Sequence, residues 1–132
     1  MRCIKTVVGA LITRDGRYLI TQRPAKAVLP LLWEFPGGKV EAGESDEAAL
    51  RRELKELMGI EAVVHEQVLH VHHAYPDYDI DFRVYRCELS ASARIAHLRI
   101  HDHRWVVEEA LDDYDFPSAD QKTLDQLLKT PI

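Results

Sequence analysis

Along this chain the spacing of apolar residues changes period several times, and each change marks an element. Ile4 to Thr13 is rich in β-branched residues, Asp15-Gly16 is a two-residue hairpin signal, and Arg17 to Gln22 resumes as a strand. A β-hairpin is predicted. Further on, Leu50, Leu54, Leu57 and Met58 follow the i, i+4, i+7, i+8 spacing of a buried helical stripe. Ser45 offers an N-cap, Asp46 and Glu47 suit the positive end of a helix dipole, and Gly59 is the stop, so a helix is predicted up to Met58. Ile60 to Val71 and Tyr78 to Leu89 read as strands joined around Pro76-Asp77, and Arg104 to Val107 as a short strand. Ser118 to Lys129 reads as a closing helix with Leu124, Leu127 and Leu128 inward.

Between the hairpin and the first helix, Arg23 to Gly43 holds three prolines and three glycines among aromatics, which predicts an ordered loop rather than a regular element. Loops of this length usually carry function. Strands and helices are interspersed with few strict βαβ units, so the fold class is α/β, with a mixed sheet between helices.

Composition narrows the setting. A length of 132 residues with 46% apolar content suits one domain over the whole chain with a real core. A formal net charge of −5 gives no general attraction to polyanions, which argues against a nucleic-acid polymer as partner. The only cysteines, Cys3 and Cys87, match no metal-ligand spacing, and two alone do not make a disulfide framework, so a reducing cytoplasm is the simpler setting. The first apolar run is broken by Arg14 and Asp15, too early for a secretory leader, and no stretch approaches the roughly 18 apolar residues of a membrane span. Neither a membrane nor a secretory route is expected.

The chemistry concentrates in GGKVEAGESDEAALRRELKELMGI, from Gly37 to Ile60. Magnesium prefers oxygen ligands, so a site for a metal-bound polyphosphate needs several carboxylates converging on one spot. Glu53 and Glu56 are three apart on the predicted helix and share a face, and Glu44 just before it can reach back over the first turns. Arg52 can orient one of these carboxylates. Gly37 and Gly38 let the backbone come close to metal or phosphate, and Lys39 adds a positive charge. Taken alone, Glu53 and Glu56 fit an ordinary solvated helix face equally well. The full arrangement does not.

That arrangement resembles the Nudix box: G, five residues, E, seven residues, then R-E-hydrophobic-x-E-E-x-G-hydrophobic. Gly38, Glu44, Arg52, Glu53, Leu54, Glu56, Gly59 and Ile60 fall in register. LITQRP, LLWEFPGG and FPSAD are similar to the MutT-type nucleoside triphosphate branch, and the likeness is weaker between Glu61 and Arg99. One position departs: Leu57 stands where the pattern has the second residue of its E-E pair.

The resemblance implies an α/β/α sandwich with a mixed central sheet. It also implies hydrolysis of a nucleoside triphosphate to monophosphate and pyrophosphate with Mg2+, Mn2+ being a substitute, in a monomer or homodimer. On that basis Glu53 and Glu56 hold metal, Glu53 is the general base, and Arg52 orients it. Gly37, Glu44 and Asp102 are further metal-ligand candidates, Asp102 being equally suited to capping a turn. Arg23, Phe35, Lys39 and Asp120 are candidates for contacting nucleotide. Phe35 fits a core role as well as a base-flanking one. Asp120 stands where guanine-reading relatives place asparagine; an ionised aspartate only accepts hydrogen bonds and favours a base edge that presents donors, whether the cytosine amine or the N–H groups of guanine or an oxidised purine, so it narrows the choice without settling it. It could equally cap the last helix, where Ser118 competes. The substrates implied are oxidised nucleotides such as 8-oxo-dGTP, or pyrimidine triphosphates such as CTP. Two alternatives stay open: a degenerate domain that binds nucleotide without hydrolysis, for which Leu57 is the support, and hydrolysis of a nucleotide sugar or dinucleotide. The histidines, including the alternating His70 and His72, lack cysteine or HExxH company and suggest strand packing or substrate contact rather than a closed transition-metal site.

Overall fold

The computed structural model describes residues 3–27 and 29–117. The hairpin forms as its pattern predicts: β1 (Cys3–Arg14) and β2 (Arg17–Gln22) are antiparallel, with Thr13 opposite Tyr18 and Arg14 opposite Arg17. Asp15 and Gly16 both take positive φ, 53° and 76°. That is the two-residue turn whose twist matches the flanking strands.

Two short strands flank the hairpin. β4 (Gly37–Lys39) lies antiparallel beside the first half of β1, and β3 (Trp33–Glu34) pairs with β2. The stretch from Arg23 to Gly43, expected to be irregular, thus contributes two short strands. Too few residues alternate there for a period to show, and the pairing comes from neighbours distant in sequence. β6 (Tyr78–Leu89) runs parallel to β1 from Cys3↔Tyr78 to Ile12↔Cys87, and β5 (Ala62–Ala74) folds back antiparallel on β6. On the other side β7 (Asp102–Val107) pairs antiparallel with β2. One parallel pair among antiparallel ones makes the sheet mixed, with the order β3-β2-β1-β6-β5.

Side-chain alternation gives the sheet two apolar faces. Val8, Ala10, Ile12 and Leu19 pack with Leu50, Leu54 and Met58 of α1 (Asp46–Met58). Leu11, Ile20, Phe35, Phe82 and Val84 point to the opposite face, where Leu111 of a 3₁₀ helix (Glu108–Asp113) joins them. The predicted closing helix, Ser118 to Lys129, would supply the second helical layer; it lies outside the described residues, as does Asp120. Among the described residues no helix is long and apolar enough to cross a membrane.

α1 begins and ends as its sequence dictates. Ser45 accepts a hydrogen bond from Ala48 N at 3.1 Å, and Gly59 closes the helix in the left-handed region (φ 68°), its N–H reaching Lys55 O at 2.8 Å. The remaining C-terminal carbonyls find partners in a later loop: Met58 O accepts from Ala96 N, and Leu57 O from both Leu98 N and Arg99 N. These bonds satisfy groups that a helix end otherwise leaves orphaned. The Leu57 side chain is half-buried against the core on the α1 face, extending the apolar stripe.

Because the Ser45 hydroxyl supplies the N-cap bond, Ser45→Ala is expected to cost about 1 kcal/mol in urea denaturation. An unchanged denaturation midpoint would show that the cap contributes nothing.

Candidate active site

The site starts from a close approach of backbones. Gly37 and Gly38 on β4 face Gly9 and Val8 on β1. A Cβ on Gly37 would lie 1.9 Å from the Val8 carbonyl oxygen, so only glycine fits there. A Cβ on Gly38 would lie 2.3 Å from the Glu53 carboxyl carbon. The Glu53 carboxylate is therefore laid flat against β4.

Arg52 ties this corner together. Its Nε and Nη2 donate to the two oxygens of Glu44 at 2.7 and 2.9 Å, Nη1 donates to Glu53 Oε1 at 2.9 Å and to Glu56 Oε2 at 3.4 Å, and Nη2 reaches the Lys39 carbonyl at 3.0 Å. Glu41 lies 3.9 Å from Nη1 and accepts nothing closer from it. The bidentate fork is the strong form of this contact. It holds the Glu44 carboxyl down at about 2, helped by the Glu41 N–H that donates to Glu44 Oε1. In the other direction Glu44, and then Glu53, raise the guanidinium's affinity for its proton.

Glu53 is pushed the opposite way to Glu44. Burial raises its pKa, Arg52 opposes this, and the charges of Glu56 and Glu41 add to the rise. Glu41, Glu44, Glu53 and Glu56 thus surround one guanidinium with more negative charge than it neutralises, all of it on oxygen. Such a donor set fits a hard divalent cation. Both Glu44 oxygens are already engaged by Arg52, so its evident task is to hold that guanidinium.

Beside Glu53 opens a cavity of about 350 Å³. Gly37, Gly38 and Lys39 line one end, and Tyr75, Tyr78 and Phe82 line the other. The Tyr75 and Tyr78 rings lie 5.3 Å apart, with the Lys5 ammonium 4.0 Å above Tyr78. Phe35 borders the cavity while being buried and stacked on Phe116 at 5.7 Å, so it fills the core. Lys39 is exposed at the rim.

Arg23, on the cavity wall, donates to both oxygens of Glu34 at 3.1 and 3.2 Å. Glu34 is a site residue that sequence reasoning missed, although a lone acid between Trp33 and Phe35 was a signal. Burial lifts its pKa to about 7; Arg23 counteracts, and Glu53 adds to the rise. Asp102 is placed elsewhere. It opens β7, accepts from His103 N at 2.8 Å and pairs with Arg104, partners on its own strand rather than on α1. Those contacts hold its pKa low.

A match to the NUDIX domain spans residues 7–126. The chain belongs to the NUDIX domain family. Within it, the chain is 34% identical over 127 residues to an 8-oxo-dGTP diphosphatase of Haemophilus influenzae, covering 96% of this chain and 93% of that protein. A CTP pyrophosphohydrolase of Escherichia coli is 58% identical over 62 residues, a match limited to 47% of this chain and 46% of that protein. Among solved structures, the E. coli ORF135 protein superposes with a TM-score of 0.79 at 34% identity, covering 96% of this chain and 90% of the other. The expected MutT-like Nudix hydrolase and its α/β fold are borne out, and the chain is an enzyme of the pyrophosphohydrolase class.

In this Nudix enzyme Arg52, Glu53 and Glu56 of the box are joined to one another and, through Arg52, to the Lys39 carbonyl of β4, while Leu54 and Leu57 pack in the core. Two outcomes follow. Gly38→Ala is expected to leave the fold intact, because the carboxylate end of Glu53 can move. The displaced Glu53 should lower kcat roughly a hundredfold, the cost of misplacing a reacting group by about an ångström; wild-type kcat in the alanine variant would disprove the close approach. Glu34, with its pKa raised above that of the unfolded chain, stays protonated in the fold while the unfolded chain ionises, so its contribution to stability falls as pH rises from about 4.5 to 7. Glu34→Gln should flatten that part of the curve of unfolding free energy against pH, and a parallel curve would refute the shift.

Proposed function

We propose that this enzyme hydrolyses a nucleoside triphosphate to the monophosphate and pyrophosphate with a hard divalent cation, Mg2+ or its substitute Mn2+, held by Glu53 and Glu56. The observation that carries this reading is Glu53: a half-buried carboxylate fixed by Arg52 and laid against Gly38, a glycine that lines a cavity together with Tyr75 and Tyr78.

Each group has a task. Arg52, anchored by Glu44, fixes Glu53 Oε1; Oε2 is then the oxygen that takes the proton from the attacking water. A water oxygen adds to phosphorus, one P–O anhydride bond breaks, and the pyrophosphate leaves with that electron pair. The cation, when bound, offsets the charge that develops on the phosphoryl oxygens. Gly37 can offer its carbonyl and Lys39 its ammonium to the polyphosphate end. Tyr75 and Tyr78 supply aromatic faces for the base, and Phe35 stiffens the wall between. Arg23 and Glu34 stand beside the sugar or base.

For the base, a cytosine nucleotide is favoured. Asp120 accepts but does not donate when ionised, which suits an exocyclic amine. The 58% identity to a CTP pyrophosphohydrolase supports the same choice. An oxidised purine triphosphate such as 8-oxo-dGTP is the second reading, supported by the 34% identity along nearly the whole chain to an 8-oxo-dGTP diphosphatase. A cytoplasmic enzyme, monomeric or homodimeric, fits both.

The test is release of pyrophosphate from CTP, dCTP and 8-oxo-dGTP with Mg2+, compared between wild type and Glu53→Gln. The variant should be slower by about 10²–10⁴-fold, the usual worth of a general base, while still binding nucleotide. If wild type and variant are equally silent on every triphosphate while nucleotide still binds, Leu57 marks a binding domain and the catalytic reading fails.

A further inference from the structure

The loop that closes α1, whose Arg99 lies 3.9 Å from Glu56, and the start of β7 bring together residues that the sequence kept apart. His97 lies in the loop whose neighbours Ala96, Leu98 and Arg99 are pinned by their N–H groups to the last carbonyls of α1. His103 and Asp102 lie at the start of β7, where His103 pairs with Thr21 and Asp102 with Gln22. The loop and strand meet so that His97 Nε2 stands 2.7 Å from His103 Nδ1 and 3.9 Å from Asp102 Oδ1. All three ligand atoms lie within 4.8 Å of one another, and among the described residues no other group of three or more His, Cys, Asp or Glu side chains converges this closely.

We propose that His97, His103 and Asp102 form a binding site for a borderline divalent transition ion such as Zn2+ or Co2+, on ligands other than the α1 glutamates. Two imidazole nitrogens and one carboxylate oxygen are the donors such ions take, whereas Mg2+ prefers oxygen throughout. Two nitrogens bound to one tetrahedral ion at about 2.0–2.1 Å sit roughly 3.3 Å apart, so the pair needs to open by only about half an ångström. Both rings reach the surface far enough to allow this: the His97 side chain is 41% exposed and His103 is half-buried. No proton has to leave. The hydrogen now shared between the rings moves to the far nitrogen of whichever ring donates it, and both facing lone pairs become available to the ion. Asp102 can turn one oxygen to the ion while Arg104 keeps the other, the outer-sphere support that metal-bound carboxylates commonly have.

Three other histidines meet carboxylates across the β5–β6 pair, His70 with Asp81, His72 with Asp79 and His65 with Glu88. The meeting of His97 with His103 is not readable in the sequence, because a six-residue separation across a loop carries no ligand signature. An ion here would staple the segment 95–101, which satisfies the end of α1, to β7.

The test is titration of the intact protein with Zn2+, and with Co2+ followed by its visible d–d absorption, in excess Mg2+ so that the glutamates are saturated. One equivalent should bind in wild type and equally in Glu53→Gln. His97→Ala and His103→Ala should each weaken binding roughly tenfold or more, with thermal unfolding of the ion-free variants showing that they still fold. His70→Ala should bind as wild type does. The imidazole resonances of His97 and His103 should be the ones that shift when Zn2+ is added. Binding unaffected by His97→Ala, lost in Glu53→Gln, or dependent on His70 would overturn the assignment, as would no uptake in excess Mg2+. Because the readout is metal binding, its failure leaves the hydrolytic reading of Glu53 untouched.

Discussion

One guanidinium decides whether this corner of the protein exists. Arg52 is the point at which the loop carrying Glu44, the strand end at Lys39 and two carboxylates of α1 are joined, and it makes these bonds while only a quarter exposed. Exposed ion pairs are worth little, because each ordered side chain gives up rotamer freedom for a screened attraction. A planar fork with two parallel bonds to Glu44 loses less, since the geometry of the second bond is set by the first. Removing the arginine would do more than delete a charge: four glutamates would be left facing one another. The carboxylate that lies deepest, Glu53, would then feel the repulsion of the others with nothing to oppose it.

The same cluster shows how one environment gives chemically similar groups different characters. Glu44 and Glu53 both touch Arg52, yet Glu44 is held strongly acidic and Glu53 is driven toward holding its proton. The difference lies in hydrogen bonding. Glu44 accepts two bonds from Arg52 and a third from the Glu41 N–H, while Glu53 is pressed against glycine backbone with one oxygen on Arg52. Glu34, reached from the opposite wall, carries the second case further. Opposed shifts in neighbouring acids are what separates a structural carboxylate from a reactive one.

Much of this was legible in the chain. The hairpin, the bounds of α1 and the glycine-glutamate-arginine spacing were all readable because each is a local rule: a turn type, a cap, a helical period. Leu57 was readable for the same reason, as a leucine on the border of an apolar stripe. The short strands in the loop from Arg23 to Gly43 were not readable, because a strand of two or three residues has no period and is created by its partner. Glu34 was missed because its burial depends on those strands. The contacts of Asp102 with Arg104 and His103 N were not readable, because they depend on how β7 presents its first residues. The meeting of His97 with His103 is likewise set by how residues 95–101 cap a helix far away in sequence.

The parallel partnership of the first strand with the sixth carries a consequence for how the molecule comes into being. Cys3 must wait for Tyr78 and Ile12 for Cys87, a wait of 75 residues at each rung. Closing so long a loop before any contact rewards it makes such a topology slow to fold. On a ribosome the hairpin and α1 can form early, but the cavity gains Tyr78 and Phe82 only after the sixth strand has emerged. Until that moment the nascent chain exposes the apolar edge of its opening strand, and this is the interval in which it is most open to aggregation or to chaperone capture.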